Sequence, residues 1–246
     1  MEKLIDREHP LKLYVQLYEI LRGKIESGEW SVYTQIPTEE ELCKTYEISK
    51  ATVRLAISEM VRQGYLRRQQ GKGTFVCKRI IPEGLSMLTS FKELMLEAGI
   101  IFTTKVLAQT VMMPTDDISL KLDVHDDKHV IYLKRLRLVD NEPVLLQETY
   151  IPHHICPPLL DEDLENNSLL EVLEKKYSIK ITKVKGYIGI AYLSAEESSL
   201  LELQEGSAAL LIEQFFYSGE IQIQYTRSIK QPERFRFFLE LERKVS

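Results

Sequence analysis

A chain of 246 residues with 44% hydrophobic and 28% charged residues has the composition of a folded globular protein, which excludes general disorder and allows two domains of ordinary size. No apolar run approaches the ~20 residues needed to span a bilayer. The opening MEKLIDREHP is too polar for a secretion signal, so the expected location is the cytoplasm, with no membrane partner. The net charge of −5 hides an asymmetry: residues 1–80 carry 14 Lys+Arg against 11 Asp+Glu, and residues 81–246 carry 18 against 26. A polyanionic partner therefore belongs with the first part. Cys43, Cys77 and Cys156 are scattered and odd in number, which suits reduced thiols rather than a disulfide framework.

Leu13, Leu17, Ile20, Leu21 and Ile25 recur at helical spacing and predict an amphipathic helix between Pro10 and Gly28. In IPTEEEL, Thr38 with Glu41 three residues on forms a capping box for a short second helix ending near Tyr46. Ser49 caps a third helix, whose stripe of Val53, Ala56, Ile57, Met60 and Val61 runs to Gly64. Two short helices joined by a tight turn make a helix-turn-helix, whose second helix enters the DNA major groove by its N-terminal end. That end presents Lys50, Thr52 and Arg54. Arg54 suits bidentate contact with guanine, Lys50 and Thr52 suit phosphate, and Ser49 adds backbone N–H donors.

YLRRQQ and TFVCK then alternate as two strands around Gly71-Lys72-Gly73, a hairpin whose narrow tip lets Lys72 approach DNA closely. The residues expected to face DNA are Thr38, Ser49, Lys50, Thr52, Arg54, Arg67, Gln70, Gly71, Lys72 and Gly73. GKGT does not make a nucleotide-binding P-loop, because Leu66 stands where its first glycine belongs and Gly73 where Ser or Thr should follow the lysine.

Residues 11–76, through S-K-A-T-V-R (Ser49–Arg54) and G-K-G-T-F-V (Gly71–Val76), resemble the winged helix-turn-helix of GntR-type transcription regulators. Many members carry a DNA-contacting arginine where this chain has Glu40, so the resemblance implies an altered contact there.

The stretch KRIIPEG, residues 78–84, combines a change of charge with Pro82 and Gly84 and is expected to be a linker between a DNA-binding domain, 1–77, and a second domain, 85–246. Ser90 with Glu93 caps a helix stopped by Gly99, 101–112 reads as a strand, and 115–121 as a short helix. Strands are expected at 130–139 and 143–151, a helix from Ser168 to about Tyr177, a strand to Leu193, a helix capped by Ser194 and Glu197, and strands near 208–217, 221–230 and 235–243. The expected class is α+β with a mostly antiparallel sheet.

In YLKRLRLVDNEPVLLQETYIP, alternation puts Arg135 and Arg137 on one face. A turn centred on Asp140-Asn141 sets Arg137 opposite Val144 and Arg135 opposite Leu146, with Glu148 and Tyr150 on the same surface. Two guanidiniums ~7 Å apart repel by roughly 2 kcal/mol at an effective dielectric near 20, which calls for a nearby anion. Glu148 can be that anion in a structural ion-pair cluster; a bound phosphate or carboxylate is the functional alternative, to which Ser90 and Ser168 at helix starts can contribute donors.

Residues 85–243 resemble the UTRA effector-sensing domain of HutC-type members, through Thr89–Glu93, Leu133–Arg137, Glu142–Pro152, Ser168–Leu173 and Gln224–Ser228. The resemblance implies a chorismate-lyase-like fold that binds small anionic or polar metabolites. It assigns Ser90, Phe91, Arg135, Arg137 and Ser168 to an anionic group, Glu148 to hydroxyls or an amine, and Tyr150 and Tyr225 to the pocket wall. Phosphosugar-sensing members carry Tyr, Glu and Tyr where this chain has Leu170, Gln224 and Lys230, which implies a more electropositive pocket and a more anionic or less hydroxylated ligand.

No nucleophile elbow, metal-protease motif or dinucleotide loop is present in the sequence, and the pairs His153/His154 and His125/His129 read as surface histidines. The expected protein is a homodimeric, ligand-responsive repressor of a palindromic operator, with no cofactor, metal or catalytic residue. The alternative is a chorismate-lyase-like enzyme domain fused to a DNA-binding module, since fold alone does not settle activity.

Overall fold

The computed structural model describes residues 5–124 and 129–241. The chain divides into two compact units, Met1–Ile80 and Ile81–Ser246. In the first, α1 (Leu13–Glu26), α2 (Glu39–Tyr46) and α3 (Lys50–Arg62) precede a hairpin of β1 (Leu66–Gln69) and β2 (Gly73–Val76). The stripes read from the sequence meet in one core, where Leu17 and Leu21 of α1 join Val53, Ala56, Ile57 and Met60 of α3, with Leu42, Leu66 and Val76 beside them. Both predicted caps form. Thr38 accepts from the Glu41 amide while the Glu41 carboxylate takes the Thr38 amide at 2.7 Å, and Ser49 accepts from Thr52. At the hairpin tip Gly73 has φ +121°, and a Cβ there would stand 2.3 Å from Gln35 Nε2. Only glycine fits that position.

The second unit is α+β. Its six-stranded sheet runs in the order β4 (Phe102–Met112), β5 (Val130–Val139), β6 (Glu142–Pro152), β9 (Ile221–Lys230), β8 (Ala208–Ser218), β7 (Lys183–Tyr192), antiparallel throughout. One face is covered by α4 (Phe91–Glu97) and α6 (Leu169–Glu171), the latter running on into a wide turn through Lys176. There Met95 meets Val139 and Leu145, and Leu169 and Leu173 meet Leu133 and Ile151. The other face is covered by α5 (Asp116–Leu122) and α7 (Ala195–Leu201), where Ile118 and Leu122 meet Val130 and Tyr225, and Leu201 meets Leu136, Leu146 and Ile229.

Two expectations fail, each for a physical reason. Residues 81–84, expected as linker, form β3 (Ile81–Gly84), which pairs in parallel with β10 (Phe235–Phe238), and Ile81 is fully buried beside Met95 and Phe235. The pairing partner lies about 150 residues away in sequence, so no local pattern announces it; Pro82 is tolerated because the ladder has only two strands. β10 ends at Phe238, and residues 242 and 243 of the expected strand lie outside the described residues.

The second failure is a register shift. Asp140 and Asn141 take φ of +54° and +62°, the left-handed pair of a two-residue hairpin turn, and Val139–Glu142 and Leu138–Pro143 pair as expected. The next pair is Arg137–Leu145, so Val144 is an extra residue. Pro143 cannot donate to the ladder, and such a bulge is where a strand accommodates proline. Every later pair slips by one: Arg135 faces Gln147, and Glu148 faces Lys134.

Candidate functional site

Each unit carries its own candidate site. In the first, the leading end of α3 is exposed and tied to the start of α2. Lys50 Nζ lies 3.2 Å from a Glu40 carboxylate oxygen, and Arg54 Nε donates to Glu39 Oε2 at 2.8 Å. Arg68 of β1 donates to Ser58 at 3.2 Å and lies 3.9 Å from the second Glu39 oxygen, which draws the hairpin to α3. Thr38 and Ser49 spend their hydroxyls on the caps, and Thr52 Oγ1 sits 2.8 Å from Ser49 Oγ. Arg67, Gln70, Gly71 and Lys72 are exposed on the hairpin, the Lys72 amide closing its turn on the Gln69 carbonyl, while Gly73 is half-buried. The sequence reading passed over Glu39 and Leu55. Leu55 is 57% exposed beside Arg54, and its signal was legible, since it lies outside the buried stripe of α3. An apolar group at that place suits a thymine methyl.

In the second unit a pocket opens between the sheet and the starts of α4 and α6, lined by Ser90, Phe91, Arg135, Arg137, Ser168 and Gln224 of the expected set. Arg135 and Arg137 are 3% and 5% exposed. Arg135 Nη2 donates to Gln147 at 2.8 Å and Arg137 Nη1 to Thr104 at 2.5 Å, and the Phe91 ring lies 5.1 Å from the Arg137 guanidinium carbon. Arg135 Nε and Nη1 and Arg137 Nε have no hydrogen-bond partner. Among the described residues no carboxylate pairs with either side chain; Glu165 lines the pocket but accepts from the Val106 amide. Burial pushes the Arg137 pKa down to about 10, and burial followed by the Arg137 charge pushes Arg135 down as well. Both stay protonated near neutrality. Gln147, Thr149 and Thr226, which the sequence reading missed, form a neutral polar floor, with Gln224 donating to Thr226 at 2.9 Å. Correct strand register would have revealed them.

Glu148, Tyr150 and Tyr225 are not in this pocket. The bulge turns Glu148 and Tyr150 to the opposite face, which Tyr225 of β9 shares as the pairing partner of Tyr150; there Glu148 accepts from Tyr132 at 2.7 Å and Arg227 at 3.2 Å, and Tyr225 donates to Glu213 at 2.6 Å. Tyr150 stacks on Tyr225 with ring centroids 6.0 Å apart. Burial pushes the Tyr150 hydroxyl up to about 12. Lys230 shares the face of the arginines but does not line the pocket: it is buried, bonded to Glu83 of β3, and lies over Phe235 and Phe237. Burial lowers its pKa, opposed by Glu83. The three cysteines are free thiols. Among the described residues no group of three or more His, Cys, Asp and Glu could hold a metal; His125 lies outside them. No helix of the described residues is long and apolar enough to cross a membrane.

A helix-turn-helix with a hairpin, followed by a six-stranded sheet with a cationic pocket, is matched part by part among known proteins. The family described as bacterial regulatory proteins, gntR family, matches residues 13–76, and the UTRA domain matches residues 97–236. The chain belongs to the GntR family and carries a UTRA domain. It is 31% identical to the uncharacterized HTH-type transcriptional regulator YurK of Bacillus subtilis, over 85% of this chain and 87% of that one. It is 27% identical to the HTH-type transcriptional repressor NagR of the same organism, over 97% and 98%. The fold is that of PhnF from Mycobacterium smegmatis, with a TM-score of 0.72 at 24% identity, covering 94% of this chain and 99% of that one. As a GntR-family member the protein is a DNA-binding transcription regulator, with α1 to β2 as its DNA-binding unit.

Proposed function

We propose that this GntR-family protein is a homodimeric repressor, released from a palindromic operator when a small anionic metabolite, a phosphosugar or a carboxylate, enters the pocket between α4, α6 and the sheet. The observation that carries this reading is the pair of buried arginines with three unpartnered nitrogens and, among the described residues, no carboxylate paired with either. Burying an uncompensated charge is expensive, and an anion accepting from both guanidiniums offsets that cost. Ser90, Phe91, Ser168 and Gln224 complete the site. The repressing sense follows the likeness to NagR.

The homodimer is supported by β7, an edge strand of ten residues. Tyr187, Ile188, Ile190 and Tyr192 are exposed on it, and no charge or proline protects the stretch from Gly186 to Tyr192. Uncovered edges of this kind invite another chain, and a second copy supplies the second of the two recognition helices, ~34 Å apart, that a palindrome needs. A tenfold loss of operator binding on ligand entry needs about 1.4 kcal/mol of coupling.

Thermal-shift titration of the full chain with phosphosugars, carboxylates and neutral sugars tests the ligand class. Stabilisation by anions alone is the expected result; stabilisation only by neutral sugars, or turnover of an added compound, contradicts it.

A further inference from the structure

The contact that binds Arg54 to Glu39 is unexpected where a protein meets polyanionic DNA. Glu39 stands in the first turn of α2, 27% exposed in its side chain, and Arg54 projects from α3, 61% exposed. An ion pair this exposed contributes at most about 1 kcal/mol to folding. A carboxylate at that place also repels phosphates and weakens binding to every sequence alike. Neither stability nor general affinity accounts for it.

Geometry does. A guanidinium has five N–H donors, and it reads guanine by presenting two of them, side by side, to O6 and N7. Two edges can do this, one made of Nε with an Nη and one made of the two Nη groups. Glu39 Oε2 takes Nε at 2.8 Å, which closes the first edge and leaves the second. The other Glu39 oxygen lies 3.9 Å from Arg68 Nη2, and Arg68 is itself held by Ser58 of α3, so the carboxylate is anchored from the hairpin side as well.

We propose that Glu39 is a positioning residue for base readout: it fixes the Arg54 guanidinium so that only its terminal edge meets guanine, while its charge lowers affinity for every sequence alike. This rests on Arg54 being the guanine reader. Discrimination gains because the arginine is ordered before it meets the base, and because loose phosphate contacts by the same side chain are discouraged.

The test is selection of bound duplexes from a pool with a randomised 20-base-pair centre, using the full-length wild type, Glu39→Gln, Arg54→Ala and the double variant, with melting temperatures recorded for each. Glu39→Gln is expected to bind the pool as tightly as wild type or more tightly, while its preference for guanine at one position of each half-site falls about threefold to tenfold. In the Arg54→Ala background the same change is expected to leave base preference untouched. The proposal is overturned if Glu39→Gln shifts affinity for all duplexes equally with preference intact, whether upward from lost repulsion or downward with a lower melting temperature. If Arg54→Ala itself leaves the base profile unchanged, the guanine reading fails instead, and the two failures are distinct.

Discussion

The two faces of the UTRA sheet carry similar residues and treat them in opposite ways. On the face toward α5 and α7 the cations have acids: Arg227 contacts Glu148 and Glu197, Lys121 contacts Glu213 and Asp117, and Lys134 contacts Glu196. On the face toward α4 and α6, Arg135 and Arg137 have only Gln147 and Thr104. One face is electrostatically closed in the chain itself. On the other, Arg135 and Arg137 are left without a carboxylate among the described residues, and that contrast is what the proposed anion site rests on.

Three substitutions can break or sharpen the contrast. The largest effect is expected from Arg135→Met, which removes a buried donor of the open face. Anion affinity should fall by about 2–5 kcal/mol, while the unliganded protein melts no earlier, or later, because an uncompensated cation is gone. Calorimetric titration with inorganic phosphate and a melting curve check both halves. Next is Arg227→Met on the closed face, which removes the cation that Glu148 and Glu197 share. A loss of ~1–3 kcal/mol in urea unfolding is expected, with phosphate affinity unchanged. A fall in phosphate affinity as large as that of Arg135→Met would erase the distinction between the faces.

The smallest effect concerns acid. Hydrogen bonds from Tyr225 and Lys121 hold the Glu213 carboxyl below its ordinary range. A carboxylate whose folded pKa is depressed stabilises the protein above its unfolded pKa, and the contribution disappears as pH falls through the folded value. Urea midpoints should therefore drop as pH falls below the ordinary carboxylate range, and Glu213→Gln should lessen that dependence. An unchanged pH profile in the variant would count against the closed network.

The local signals in the sequence were sufficient for the DNA-binding unit. Thr38 with Glu41, Ser49 and the α3 stripe are contacts within a few residues, and the structure realises each. The same holds for the turn at Asp140-Asn141. Which face Glu148 occupies was hidden by one extra residue at Val144, because side chains alternate and a slip of one reverses them all. Pro143 was the available warning. The pairing of β3 with β10, and of Lys230 with Glu83, spans about 150 residues and leaves no local trace. Glu39 carries no signal of its own in the sequence; its contact with Arg54 requires the angle between α2 and α3, which spacing does not encode.

The most direct measurement is fluorescence anisotropy of the full chain on a duplex recovered from the randomised pool, titrated with the anion that most raises the melting temperature, for wild type and Arg135→Met in parallel. The account predicts that wild type releases the duplex as the anion saturates, while Arg135→Met stays bound at concentrations that free the wild type. Equal release from both proteins, or no release from a wild type that demonstrably binds the anion, would contradict it.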